Sequence, residues 1–145
     1  MNKKNLFQLA KGLLSKIPYE IDPDDTEFSM RAFTKGYEDA PFCNTVGCAV
    51  GWAPFYGIEK SLNENFRAYS SRQLCNSNFK VWEFMFGGNW YEFDNTKEGA
   101  GKRILFVLLH WTPETDDLYK NYVSVELYKF LNVGQTIEEL EKQIK

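Results

Sequence analysis

The sequence predicts a mainly α fold, a compact single-domain bundle of about six helices spanning residues 1–145, with room for a minor β-hairpin. Three observations predict it. Apolar residues recur at spacings of three and four in several separate stretches, as one face of a helix requires. Asn, Ser or Thr stands before most of these stretches and Gly or Pro after them, which is how helices start and stop. The length of 145 residues, 43% of them hydrophobic, suits one core that needs no disulfide or metal staples.

Residues 3–17 carry Leu6, Leu9, Ala10, Leu13 and Ile17 on one stripe, and Pro18 ends it. Next, "YEIDPDDTE" reads as a solvated acidic loop, because it lacks the glycine a calcium loop needs at its turn. "FSMRAF" fits either a short strand or a helical turn. The stretch "CNTVGCAVGWAPFYG", residues 43–57, reads as a short helix with Asn44 or Thr45 as N-cap and Pro54 near its end. Gly47 and Gly51 are four apart, as are Ala49 and Ala53, so two thin strips let neighbours approach while Trp52 fills space. Residues 59–75 are weakly patterned, a loop followed by an irregular or short helical piece.

Asn76 or Ser77 can cap a helix bearing Phe79, Trp82, Phe84, Met85 and Phe86, which Gly87-Gly88 would end with a left-handed residue. Asn95 and Glu98 form a capping box for a helix with Ile104, Leu105, Val107, Leu108 and Leu109. That helix is apolar nearly all round and belongs at the centre. Gly99 and Gly101 in its first turns weaken it by about 1 kcal/mol each relative to Ala, which implies a backbone passing close by. Thr112-Pro113 opens the next helix, with Leu118, Tyr119, Tyr122, Val123, Glu126, Leu127, Phe130 and Leu131 on its stripe, Glu126 being the one polar exception, and Gly134 at its end. Thr136 and Glu139 form a second capping box, for a last helix through Leu140 and Ile144.

Charge and composition exclude several function classes. A net charge of −3 argues against a nucleic-acid partner, since affinity for phosphate backbones comes from Lys and Arg. No uncharged segment approaches the ~18 residues of a membrane helix. Gln8 and Lys11 interrupt the apolar run behind Lys3 and Lys4, so it is no signal-peptide core. The expectation is a soluble cytoplasmic protein with reduced thiols and no membrane partner.

Cys43, Cys48, Cys75 and His110 would make a tetrahedral zinc set if the fold converged them, but only the first two are spaced like a metal loop. The simpler reading makes Cys48 and Cys75 small buried hydrophobes and His110 a helix C-terminal residue. Cys43 before a helix N-terminus could be a nucleophile, yet no base stands beside it in the sequence. "EGAGKR" lacks the spacing of a phosphate loop. No catalytic residue, metal ligand or cofactor is therefore assigned.

Aromatic residues make up 17% of the chain, more than a small core needs. The richest segment is "WEFMFGGNWYEF", residues 82–93, around a double glycine. Asn89, Trp90, Tyr91 and Phe93 are accordingly the expected partner-binding residues, since Trp and Tyr dominate binding hot spots.

Phe28 and Met30, then Cys43, Thr45, Cys48, Gly51, Trp52 and Ala53, then Asn95, Thr96, Arg103 and Ile104 form a recurring pattern. In these positions the chain resembles a group of small, largely uncharacterised proteins of tailed bacteriophages and some bacteria. Asn44 stands where that group usually has glycine, and Gly101 where alanine is expected. The resemblance implies provenance, a phage accessory gene, and brings no activity, cofactor or catalytic residue. Small acidic phage proteins of this class most often bind a host protein, for example to block a defence system, and that is the leading expectation. The alternatives are a binder that sequesters a nucleotide signal through Arg31, Arg67, Arg72 or Arg103, and a small cysteine- or zinc-dependent enzyme. Oligomeric state is left open.

Overall fold

A computed structural model of the protein describes residues 1–15, 49–88, 90–94, 96–120 and 127–144; for Tyr91 and Glu92 it describes the backbone. The described α-helices are α1 (Lys3–Leu14), α2 (Ala49–Trp52), α3 (Phe66–Gln73), α4 (Lys80–Phe86), α5 (Trp90–Phe93), α6 (Lys97–His110) and α7 (Val133–Gln143). Short 3-10 segments cover Ala53–Tyr56 and Pro113–Lys120. There is no strand among the described residues. The mainly α expectation is met, while the acidic loop and "FSMRAF" lie outside the described residues.

The centre is α6. Its residues Gly99 to Gly101 and Arg103 to Leu108 are all buried, as expected of a segment covered on most sides. Along it lies α1, in the most extensive helix pairing described, presenting Leu6, Phe7, Leu9, Ala10 and Leu13. Asn2 caps α1 by accepting from the Asn5 amide at 3.1 Å, and the helix closes at Ser15, ahead of Pro18. Gly101 permits the pairing, since a Cβ there would sit 2.5 Å from Leu14 Cγ. A Cβ on Gly99 would collide with the Asp94 carboxylate. The neighbours that demand these glycines are side chains, not the passing backbone the sequence suggested.

Several boundaries differ from expectation for identifiable reasons. The cap of α6 is Thr96, whose Oγ1 accepts from the Gly99 amide at 2.9 Å; Asn95 lies outside the described residues. Neither Asn76 nor Ser77 caps α4. Phe79 occupies the cap position with no side-chain bond to give, and Asp116 supplies the acceptors from afar. Its carboxylate accepts from the amides of Lys80 and Val81 at 2.8 and 3.1 Å, and from Trp111 Nε1 at 3.0 Å.

Gly87 ends α4 in extended backbone, φ −67, and the left-handed glycine among the described residues is Gly57, φ 84, closing the 3-10 turn after α2. The helix expected from Pro113 to Leu131 is 3-10 in its two described stretches, 113–120 and 127–130, with residues 121–126 between them outside the described set. Its stripe divides, with Tyr119 buried and Leu118, Leu127 and Phe130 exposed, while Tyr128, which is not on the stripe, is buried. Asn132, not Thr136, caps α7 through the Gln135 amide at 3.1 Å, so Gly134 falls in its first turn and Thr136 is buried.

All four residues of α2 are buried, which bears out the packing role expected of the small-residue stretch over its described part. Lys97 of α6 holds its ammonium 3.5 Å above the Trp52 ring, and burial lowers its pKa.

Candidate functional site

A cluster of rings forms behind the expected binding segment. The Phe84 ring lies 5.7 Å from Trp90, 5.2 Å from Tyr119 and 6.0 Å from Tyr128, each near edge-to-face. Trp90, one of the expected partner-binding residues, belongs to this core. It is 3% exposed and its Nε1 donates to the Phe84 carbonyl at 2.7 Å, so the indole is satisfied inside the protein and not presented to a partner. Phe93, one turn on, is 59% exposed. Asn89 and the Tyr91 side chain lie outside what is described.

Against the Trp90 ring, 4.2 Å from its centroid, lies the guanidinium of Arg103, which is 0% exposed, with Tyr128 5.4 Å away on a second side. Ile104, Leu105, Phe106, Val107 and Leu108 follow it as a buried apolar run, so the fold brings this cation into the core. Its Nη1 is 3.5 Å from Asp94 Oδ2 and donates to the Asp94 carbonyl at 3.4 Å. Nε and Nη2 have no hydrogen-bond partner among the described residues. Burial pushes the Arg103 pKa down, opposed by Tyr128 and Asp94, and a guanidinium keeps its proton nonetheless.

Asp94 joins the pieces. Its Oδ1 accepts from Thr96 Oγ1 at 2.7 Å, its Oδ2 from the Tyr128 hydroxyl at 3.0 Å, and Gly99 leaves it room. Burial raises the Tyr128 phenol to about 12, with Arg103 pulling down and Asp94 pushing up, so it stays a donor. On the solvent side opens a polar hollow of about 190 Å³, bordered by Asp94, Thr96, Tyr128, Lys129 and the Glu98–Lys102 ion pair at 2.9 Å.

The other candidates are scattered. Cys75 is 1% exposed and burial raises its thiol to about 12, which bears out its reading as a small hydrophobe, without a thiolate at neutral pH. Cys43 and Cys48 lie outside the described residues. His110 is exposed at the C-terminal end of α6, its ring 4.6 Å from Phe106. No group of three metal-ligating side chains occurs among the described residues.

Of the arginines expected to hold phosphate, Arg72 is engaged by Glu64, Arg67 stacks on Trp82 at 5.1 Å, and Arg31 is not described. Arg67 and Arg72 share no partner with Arg103 among the described residues. No described helix is long and apolar enough to cross a membrane.

Exposed apolar side chains neighbour the rings of this cluster along the chain. Leu118 (68%) precedes Tyr119, Leu127 (67%) and Phe130 (84%) bracket Tyr128, and Phe93 packs against Trp90 at 6.5 Å. Sequence reasoning missed Asp94 and Tyr128, because no spacing links them to Arg103. The usable signal was Arg103 itself, a charge deep in an apolar helix. Comparison of the chain with protein families, with curated proteins and with solved structures finds no match.

Proposed function

We propose that this protein is a non-catalytic binding protein that docks another protein through Phe93, Leu118, Leu127 and Phe130. In the phage setting that the sequence resemblance implies, the partner is a host protein met in the cytoplasm. The observation that carries the reading is this set of large apolar side chains, each more than half exposed and each adjacent to one buried ring cluster. Exposed apolar groups gathered in one region mark interaction sites, and aromatic anchors on a rigid base lose little entropy when covered. Trp90 thereby takes a supporting role, holding Phe93 from behind.

Pull-down from host lysate with the wild-type protein and with Phe130→Glu tests it. The wild type recovers a partner, and the variant, whose melting temperature should not change because Phe130 is 84% exposed, recovers at least tenfold less. Recovery of no partner across several salt concentrations, or equal recovery by the variant, overturns the reading.

A further inference from the structure

The docking side chains are exposed, so what fixes them relative to one another lies beneath them. Phe93 packs on Trp90 at the end of α5, and the Asp94 amide closes that helix by donating to the Trp90 carbonyl at 2.8 Å. Leu127 and Phe130 stand three apart in the 3-10 turn 127–130, where such residues share one side, and the fully buried Tyr128 anchors that turn. Asp94 and Tyr128 are 34 residues apart in the chain, so a tertiary contact has to set these two parts of the surface against each other.

One polar junction does so. Tyr128 donates its hydroxyl to Asp94 Oδ2 at 3.0 Å. Arg103 meets both partners, with Nη1 3.5 Å from the same carboxylate oxygen and a side-chain hydrogen bond to Tyr128, while its guanidinium lies on Trp90. The other carboxylate oxygen of Asp94 accepts from Thr96 Oγ1 at 2.7 Å, and Thr96 caps α6, the central helix. Asp94 is thus rooted in the core while it holds the turn.

Ring contact alone would leave the arrangement loose. The Phe84 and Trp90 rings meet Tyr128 edge-to-face at 6.0 and 5.6 Å, and such contacts tolerate sliding because apolar burial has no preferred direction. A hydrogen bond does have one, and it weakens steeply as its angle closes. Burial raises the Tyr128 phenol to about 12, so its hydroxyl is a donor throughout the neutral range.

We propose that the Tyr128–Asp94 hydrogen bond, braced by Arg103, is a clamp that sets Phe93 relative to Leu127 and Phe130. Asp94, Arg103 and Tyr128 are then positioning residues for docking, an inference that rests on the apolar docking surface. The clamp presents the partner with one arrangement of anchors, and molecules in which it is open weaken the apparent affinity in proportion to their population.

The test puts trifluoromethyl-phenylalanine in place of Phe93 in one sample, of Phe130 in a second, and of the exposed loop residue Leu62 in a third as control. Tyr128→Phe keeps the ring and removes the hydroxyl. Each probe should give one narrow fluorine resonance in the otherwise wild-type protein. In Tyr128→Phe the probes at 93 and 130 should exchange between two environments at one common rate, and the probe at 62 should not. Gly99→Ala reaches the same clamp from another side, since its Cβ displaces the Asp94 carboxylate. It should give the same exchange, and the double variant should show no more than the larger single effect, whereas independent structural losses would add. If Gly99→Ala does not fold, Tyr128→Phe decides alone. In pull-down from host lysate Tyr128→Phe should recover about threefold less partner than wild type. No exchange, exchange at 130 alone, or additive effects overturn the clamp. Undiminished recovery by Tyr128→Phe where Phe130→Glu loses the partner overturns its role in docking. If the wild type recovers no partner, the docking reading fails, and the fluorine spectra alone decide whether the clamp exists.

Discussion

Glu64 and Arg72 show how one pair on the surface can impose order where the sequence pattern is weak. Arg72 Nε donates to Glu64 Oε2 at 2.8 Å and Nη2 to Oε1 at 2.6 Å, and the Ser61 amide donates to the same carboxylate at 3.2 Å. The Arg72 bonds hold the Glu64 pKa down at about 2, from an ordinary 4.5. A carboxylate with a depressed folded pKa contributes stability that is fully present above its unfolded pKa. That contribution is lost as pH falls from about 4.5 towards 2. The pair is well exposed on the Arg72 side, so salt should weaken it. Thermal melts of wild type and Glu64→Gln should therefore differ most above pH 5 at low salt and converge as the pH approaches 2. A difference that is constant across that range would show that the ion pair contributes nothing.

Helix termini are where the sequence was read least well, and the reasons are physical. The stripes of α1 and α6 were legible because they repeat at helical spacing against one core, and Leu6, Leu9, Leu13, Ile104 and Leu108 are all buried as expected. Caps are single hydrogen bonds, and any nearby Asn, Ser or Thr can make them in a sequence. Asn65 caps α3 through the Ala68 amide at 2.8 Å, yet α3 was hard to see because only Tyr69 and Ser70 of its eight residues are buried.

The cap of α4 could not be read from spacing at all. Asp116 reaches it across 35 residues and accepts two of the amides that every helix leaves unpaired at its start. Asp116→Ala should cost about 1–2 kcal/mol by loss of the cap. Urea unfolding measures that cost, and hydrogen exchange localises it, with faster exchange at Lys80 and Val81 than at Ile104. Uniform exchange across both helices would show that Asp116 does not act through α4.

At the scale of the molecule, Arg103 links elements that are distant in the chain. Its α6 backbone packs on α1, its guanidinium lies on Trp90 of α5, and through Asp94 it meets Tyr128 of the turn at 127–130. The fold class was legible because it depends on periodicity, whereas this junction depends on three residues that only tertiary structure brings together. The same burial that hid Trp90 from solvent moved the candidate surface to Phe93, Leu118, Leu127 and Phe130, which the helical stripe of 113–131 had assigned in part to the core.

A buried ion pair seldom adds net stability, but removing one partner strands the other charge. Asp94→Ala should thus cost about 3–5 kcal/mol, since Arg103 loses its counter-charge and Tyr128 its acceptor. Adding Arg103→Met removes the stranded cation and fills the same volume with an apolar side chain. The double variant should then be more stable than Asp94→Ala alone, a sign reversal that no simple sum of two losses produces. Urea midpoints of the wild type, both single variants and the double variant measure the coupling. A double variant less stable than either single would show that Arg103 stabilises the core through its ring contacts and not through its charge pairing with Asp94.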